Sequence, residues 1–104
     1  MAEELLANIG EIKIIRVTTT GPSSYSSGGF TVRISSAKEV KGVLTATNDG
    51  GYKVDEGKIT KSANEITVPV LYYDYDAGAD GVAIEVADAT DLSGVNFEFI
   101  VLAV

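Results

Sequence analysis

The chain has 104 residues, 15 acidic and 8 basic, and it contains no His, Cys or Trp. That length supports one domain with a modest core, and the 45% hydrophobic fraction argues against disorder. The formal charge of −7 disfavours nucleic acid as a partner. His and Cys, two residue types often used in acid–base and nucleophilic catalysis, are missing. Because no signal-peptide pattern and no membrane-length apolar stretch are present, we expect a soluble domain that is not an enzyme and needs no cofactor.

Residues 1–9 are predicted to form an N-terminal arm. Glu3 and Glu4 precede Leu5 and Leu6, an arrangement compatible with one helical turn that has acidic residues at its N-terminal end. So short a helix is marginal by itself. The segment is therefore either a frayed end or an arm that orders against another surface, and Leu5 and Leu6 are candidates for contact with a partner.

The rest of the chain, residues 10–104, alternates apolar and polar side chains with the period of β-strands. Regular spacing of about seven short strands, without a helical stretch, predicts one all-β domain built as an antiparallel sandwich or barrel. The segments that favour strands are 10–19, 29–35, 40–47, 52–54, 58–61, 65–73, 82–86 and 95–104.

Three local features refine the strand prediction. Adjacent Ile14 and Ile15 break the alternation and indicate a bulge or burial on both faces. The turn sequence at 48–51 predicts a hairpin between the strands on either side of it. Pro69 cannot donate to a ladder, so its strand should have an open side or a bulge there.

The Gly- and Ser-rich segment 21–29 is predicted to be a flexible, exposed connection. It lacks the Gly-Lys-Ser/Thr ending of a phosphate-binding loop, and no helix is predicted after it. Tyr25 lies in its middle. An exposed aromatic residue in such a loop is a candidate anchor for a partner.

The segment 74–81 is acidic, and four carboxylates there and just beyond fall at the first, third, seventh and twelfth positions of a helix–loop–helix calcium site. Two other positions of that pattern fail, since Gly78 provides no side-chain oxygen and Ala79 replaces the required glycine. A solvated hairpin loop is therefore the favoured interpretation, and calcium binding is the alternative. The candidate metal ligands are Asp74, Asp76, Asp80 and Glu85.

Three tyrosines cluster before and within this loop. Strand alternation directs Tyr72 towards the core and places Tyr73 and Tyr75 on the opposite face. Packing across a sheet face is the more common use of such residues. The alternative is that Tyr73 and Tyr75 form a patch that binds protein or sugar.

Three stretches carry a family resemblance: Gly28–Phe30 (GGF), Gly50–Tyr52 (GGY) and Glu85–Phe97 (EVADATDLSGVNF), the last followed by a closing apolar strand. In this order they resemble small proteins encoded beside the major capsid protein in tailed bacteriophages and related viruses. The acidic loop and the leading Glu-Glu-Leu-Leu segment depart from that pattern. Within the last stretch, Asp91 and Ser93 are also explained by a local turn into the final strand.

The resemblance implies a virion structural protein, a head decoration or minor capsid component that is made in the host cytoplasm and located on the capsid surface. Its implied partner is the major capsid protein. A shell with local three-fold sites favours a homo-oligomer, specifically a trimer. Two other classes remain open: a carbohydrate-binding or adhesin-type β-module, with or without calcium, and a small hydrolase.

Overall fold

A computed structural model describes residues 1–73 and 83–104 of the chain. In these residues it is all-β, apart from one 3-10 turn at Glu56–Lys58. Several strands are very short, so their number exceeds the seven expected. The strands are β1 (Ala2–Ile9), β2 (Ile12–Thr20), β3 (Phe30–Arg33), β4 (Val40–Asn48), β5 (Lys53–Val54), β6 (Thr60–Ser62), β7 (Glu65–Val68), β8 (Val70–Tyr73), β9 (Ala83–Glu85) and β10 (Asn96–Ala103).

The strands form three sheets in which every pairing is antiparallel. The largest has four strands in the order β1-β2-β10-β4, and the two smaller ones have the orders β3-β7-β6 and β5-β8-β9. One face of the large sheet shares a single apolar core with the two small sheets. The predicted all-β, antiparallel, sandwich-like fold is thereby confirmed, and the sheets do not close into a barrel.

Strict alternation along β10 builds the centre of the core. Phe97, Phe99 and Val101 are buried, while the residues between them point to the other face and are half-buried. Phe30 of β3 approaches from the opposite layer, with its ring centroid 5.0 Å from that of Phe97. This contact joins the two layers directly, and aromatic pairs at such separations stabilise beyond the area they bury.

The hairpin predicted at residues 48–51 is wrong, because β4 pairs with β10 and β5 pairs with β8. The Asn48 side-chain oxygen accepts hydrogen bonds from the amides of Gly50 and Tyr52, and its nitrogen donates to the Tyr52 carbonyl at 2.7 Å. Asp49 accepts from the amide and side-chain nitrogens of Asn96, both at 2.8 Å. The turn residues thus form a turn as expected, but it carries the chain from one layer to the other.

Pro69 divides the single strand predicted over residues 65–73. The part before it, β7, lies between β3 and β6, whereas the part after it, β8, lies between β5 and β9. Because proline has no amide hydrogen to donate, the ladder is interrupted there. The buried ring marks the point where the chain changes sheet.

The first residues form a strand, so the helical turn considered for them is wrong. β1 pairs antiparallel with β2, and pairing of this kind provides the backbone hydrogen bonds that one isolated helical turn supplies poorly. The register slips between Leu5 and Ala7, opposite Ile15 and Ile14. The irregularity expected at the two isoleucines thus lies in β1 across from them. Ile15 is buried and Ile14 half-buried on opposite faces of the sheet.

Candidate interaction surface

The face of the four-stranded sheet turned away from the core, the outer face, carries a group of apolar side chains. The register places Ile9 opposite Ile12, and Ile14 opposite Leu102, so these residues are neighbours on one face. Ile9 is 71% exposed and Ile12 46% exposed. With Ile100, which alternates with the buried residues of β10, they form what we call the outer patch. Its members are Ile9, Ile12, Ile14, Ile100 and Leu102.

Arg16 lies beside the outer patch between two carboxylates. Its Nη1 is 3.7 Å from an oxygen of Glu4 on β1, and its Nε is 3.2 Å from an oxygen of Glu98 on β10. The second contact is an ion pair without hydrogen-bond geometry. Since each of the three side chains is 42–63% exposed, solvent screens these pairs and they contribute little to stability. They do leave this part of the outer face with one negative charge in excess.

Glu3 fastens the beginning of β1 to the turn after β3. Its carboxylate accepts hydrogen bonds from the amide and the hydroxyl of Ser35 and from the amide and the hydroxyl of Ser36, at 2.5–3.1 Å. Partial burial raises the pKa of Glu3, but the hydrogen bonds outweigh this effect and leave the pKa below its ordinary value of 4.5. The segment expected to be an arm is therefore tied to the domain at its start.

The two leucines proposed as partner contacts are exposed. Leu5 lies on the same face as the buried Ile15 but is itself 55% exposed, because β1 is the terminal strand of the sheet. Leu6 lies at the register slip and is 40% exposed. Together with Ile9, they give β1 exposed apolar side chains along most of its length.

The exposure predicted for Tyr25 is wrong, because its side chain is 1% exposed. Its hydroxyl donates to a carboxylate oxygen of Glu85 at 2.8 Å and accepts from the amide of Val70 at 3.0 Å. Desolvation of the phenol, together with the nearby Glu85 carboxylate, raises the pKa of Tyr25 to about 12 although the Val70 amide acts in the opposite sense. Tyr25 is a core residue and is not available as a partner anchor.

The segment around Tyr25 is held by backbone hydrogen bonds, which corrects the prediction of a flexible connection. The amide of Gly21 donates to the carbonyl of Val95 at 2.9 Å, and the amide of Leu92 donates to the carbonyl of Pro22 at 2.8 Å. The Tyr25 amide also donates to the carbonyl of Thr90. Small residues suit this close approach, since a Cβ on Gly21 would lie 2.5 Å from the Leu92 carbonyl oxygen.

An open groove lies at the tyrosine cluster. Tyr52, Tyr72 and Tyr73 line it together with the backbone of Gly50 and Gly51. The predicted alternation is confirmed here, because Tyr72 packs against the core and Tyr73 is 42% exposed. The other tyrosine proposed for this patch, Tyr75, lies outside the described residues.

Of the four candidate metal ligands, Asp74, Asp76 and Asp80 also lie outside the described residues. Glu85 is described, and one of its oxygens accepts hydrogen bonds from the Tyr25 hydroxyl and the Gly28 amide. Within residues 1–73 and 83–104, no group of three potential ligands is close enough to hold a metal ion.

The turn predicted at Asp91 and Ser93 is present. One carboxylate oxygen of Asp91 accepts from the amide of Ser93 at 2.9 Å and from its hydroxyl at 2.6 Å. These hydrogen bonds lower the pKa of Asp91. Leu92 between them is completely buried, so this stretch acts as a structural turn that delivers a core residue.

Comparison with known proteins finds no matching family model, no matching curated protein and no matching solved structure. In the part of the chain that the structure describes, no helix has the length and apolar character needed to cross a membrane.

Proposed function

We propose that this chain is a virion structural protein, a capsid decoration or minor head protein that binds the assembled shell and bridges its subunits. The observation that best supports a binding role is the outer patch, where five apolar residues from three strands lie together on a sheet face outside the core. Apolar surface of this kind is typical of protein–protein contacts. The resemblance described above supplies the identity of the shell.

The proposed mechanism is stabilisation by mass action. A protein that binds assembled subunits, and not free ones, shifts the equilibrium towards the shell without any catalytic group. The partner is the major capsid protein, the location is the capsid surface, and the protein acts as a homo-oligomer. The excess of negative charge favours a basic region of the shell as the contact, because opposite charges speed and orient association.

Co-sedimentation with shells of the major capsid protein encoded beside this chain tests the proposal. Wild-type protein is expected to pellet with assembled shells and not with free capsid subunits, and to raise the melting temperature of the shell. Ile12→Asp, which puts a charge into the outer patch, should reduce binding. Thr31→Asp, on an exposed position of β3, is the matched control and should bind normally. Equal binding of both variants would show that the outer patch is not the contact.

A second candidate, a carbohydrate-binding or adhesin-type module, is favoured by the groove lined by Tyr52, Tyr72 and Tyr73. Aromatic side chains beside an open groove provide an apolar surface with polar edges. Titration with a panel of glycans, in calcium and in chelator, tests it. Binding that is lost in Tyr73→Ala and kept in Ile12→Asp would favour this function over the first.

A further inference from the structure

Strand β1 combines an open edge with apolar side chains that project from both of its faces. It has a single neighbour, β2, among the described strands. Leu5 projects on the core side of the sheet and Ile9 on the outer face, and both are more than half exposed. An edge strand presents unpaired backbone groups to any strand that can add to it. Exposed apolar residues on both faces are typical of a strand lying inside a wider sheet.

The opposite edge of the same sheet is better protected. β4 shows two register irregularities against β10, one of them at the exposed Leu44, and it carries the exposed Lys41. Bulges and lysines are the usual means by which an edge strand resists pairing. β1 has one irregularity and no basic residue. Strand addition is therefore favoured at β1.

We propose that the occupant of this edge is a second copy of the same chain, with the two β1 strands antiparallel about a two-fold axis perpendicular to the sheet. Such an axis keeps the outer faces of both sheets on the same side, so only residues that share a face can be opposite one another. Glu4 and Ala7 share the outer face, since they pair with Arg16 and Ile14 of β2. Glu4 of one copy then lies opposite Ala7 of the second copy.

The same register also places core-side residues opposite core-side residues, and it keeps like charges apart. Glu3 and Asn8 share the core side of the sheet, since they pair with Val17 and Lys13. Glu3 of one copy therefore faces Asn8 of the second copy, and no glutamate faces a glutamate. A shift by one residue would place outer-face residues against core-side residues, and a parallel pair in register would set like charges opposite one another. The antiparallel pair joins two four-stranded sheets into one of eight strands with two outer patches on one side.

This inference does not depend on the proposed function, and sedimentation of the isolated protein tests it separately from shell binding. Wild-type protein is expected to show twice the monomer mass at high concentration. Ala7→Glu places a like charge opposite Glu4 at two places in each dimer and should weaken association about tenfold. Ala7→Lys puts a charge of similar size beside the same Ile14 and should preserve the dimer. A monomer or a trimer in the wild type, or equal association of the two variants, would overturn the proposal.

Cysteine cross-linking provides a second measurement that does not require Ala7→Glu to fold. The chain has no cysteine, so Glu4→Cys and Ala7→Cys each carry one thiol. An oxidised mixture of the two variants should yield mainly the mixed disulfide, identified by its mass, because positions 4 and 7 are opposite one another across the axis. Either variant oxidised alone should cross-link poorly. Equal amounts of all three covalent dimers would contradict the register.

Discussion

The hydroxyl of Tyr25 donates a hydrogen bond of 2.8 Å to the carboxylate of Glu85, which joins positions 60 residues apart in the chain. The same hydroxyl accepts from the amide of Val70 on β8. One buried phenol therefore connects the segment 21–29 to two strands of the small sheet β5-β8-β9. The segment with the most linker-like composition is therefore anchored to the rest of the domain.

We expect Tyr25→Phe to lower the free energy of unfolding by about 1–3 kcal/mol. The ring still fits its site, but a buried amide on Val70 loses its acceptor and Glu85 loses a donor, and unsatisfied buried groups cost that much. Denaturant unfolding measures the change. Tyr52→Phe, at a half-buried tyrosine of the same domain, is the control for removing a hydroxyl. Equal stabilities of Tyr25→Phe and wild type would contradict the assigned role.

The raised pKa of Tyr25 predicts a loss of stability at alkaline pH. Folding raises this pKa from 10.0 to about 12, so the protonated phenol is favoured in the folded state. Its contribution is complete below pH 10 and is lost as the pH rises from 10 to about 12. Melting temperatures across this range, compared with those of Tyr25→Phe, measure it. The two proteins should become more alike in stability as the phenol ionises; a gap that stays constant over this range would contradict the prediction.

The lowered pKa of Glu3 predicts that stability falls as the pH is lowered, whereas the raised pKa of Tyr25 predicts that it falls as the pH is raised. Its folded-state pKa lies below the ordinary value of 4.5, so its contribution is complete above 4.5 and is lost as the pH falls through the folded-state value. Glu3→Gln keeps an acceptor but removes the charge that strengthens four hydrogen bonds from Ser35 and Ser36. We expect faster amide exchange in β1 and a weaker acid dependence of stability.

Glu4→Gln is the matched control for that change. Glu4 neighbours Glu3 in β1, but its described contact is an exposed ion pair with Arg16 at 3.7 Å, which is worth little. In Glu4→Gln, the backbone amides of β1 should exchange at nearly the wild-type rate. If both variants accelerate exchange equally, the loss of a negative charge from β1 explains the effect. The serine contacts of Glu3 would then not be what holds the strand.

Local patterns in the sequence were sufficient for some elements and insufficient for others. The alternation of apolar and polar residues over 95–104 correctly predicted a strand there, and Phe97, Phe99 and Val101 form its core face because one buried face fixes a period of two. Asn48 and the glycines after it correctly marked a turn, but turn chemistry is local and does not determine which strands pair. β4 finds its partner in β10, whose position depends on contacts distant in sequence.

The candidate surface, too, was only partly predictable from local sequence. The exposure of Leu5 and Leu6 followed from their position in a short acidic segment, whereas the outer patch required the register that brings Ile14 against Leu102. Tyr25 was assigned to the surface because Gly and Ser surround it, yet its hydroxyl is satisfied by residues far away in the sequence. A buried hydrogen-bond partner leaves no local signal. The serines that bind Glu3 are exposed, and they were missed because they lie 32–33 residues away from it in the sequence.

The two-residue turn between β6 and β7 predicts a stabilising substitution at Ala63. Ser62 pairs with Glu65, and Ala63 between them has φ of 52°, in the left-handed region. An L-residue there costs about 1–2 kcal/mol, while glycine adds about 0.5–1 kcal/mol of entropy cost. We expect Ala63→Gly to raise the free energy of unfolding by about 0.5–1 kcal/mol, measured by denaturant unfolding.

Ala46→Gly is the same chemical change in an extended strand and should have the opposite sign. Ala46 lies inside β4, opposite Phe99, where glycine loses a packed methyl group and gains only unfolded-state freedom. A loss of about 1 kcal/mol is expected. The carbonyl of Ala63 accepts from the Val40 amide at 2.8 Å, so the turn also holds the start of β4. If Ala63→Gly is destabilising, the added flexibility of glycine at this turn costs more free energy than the relief of the left-handed strain provides.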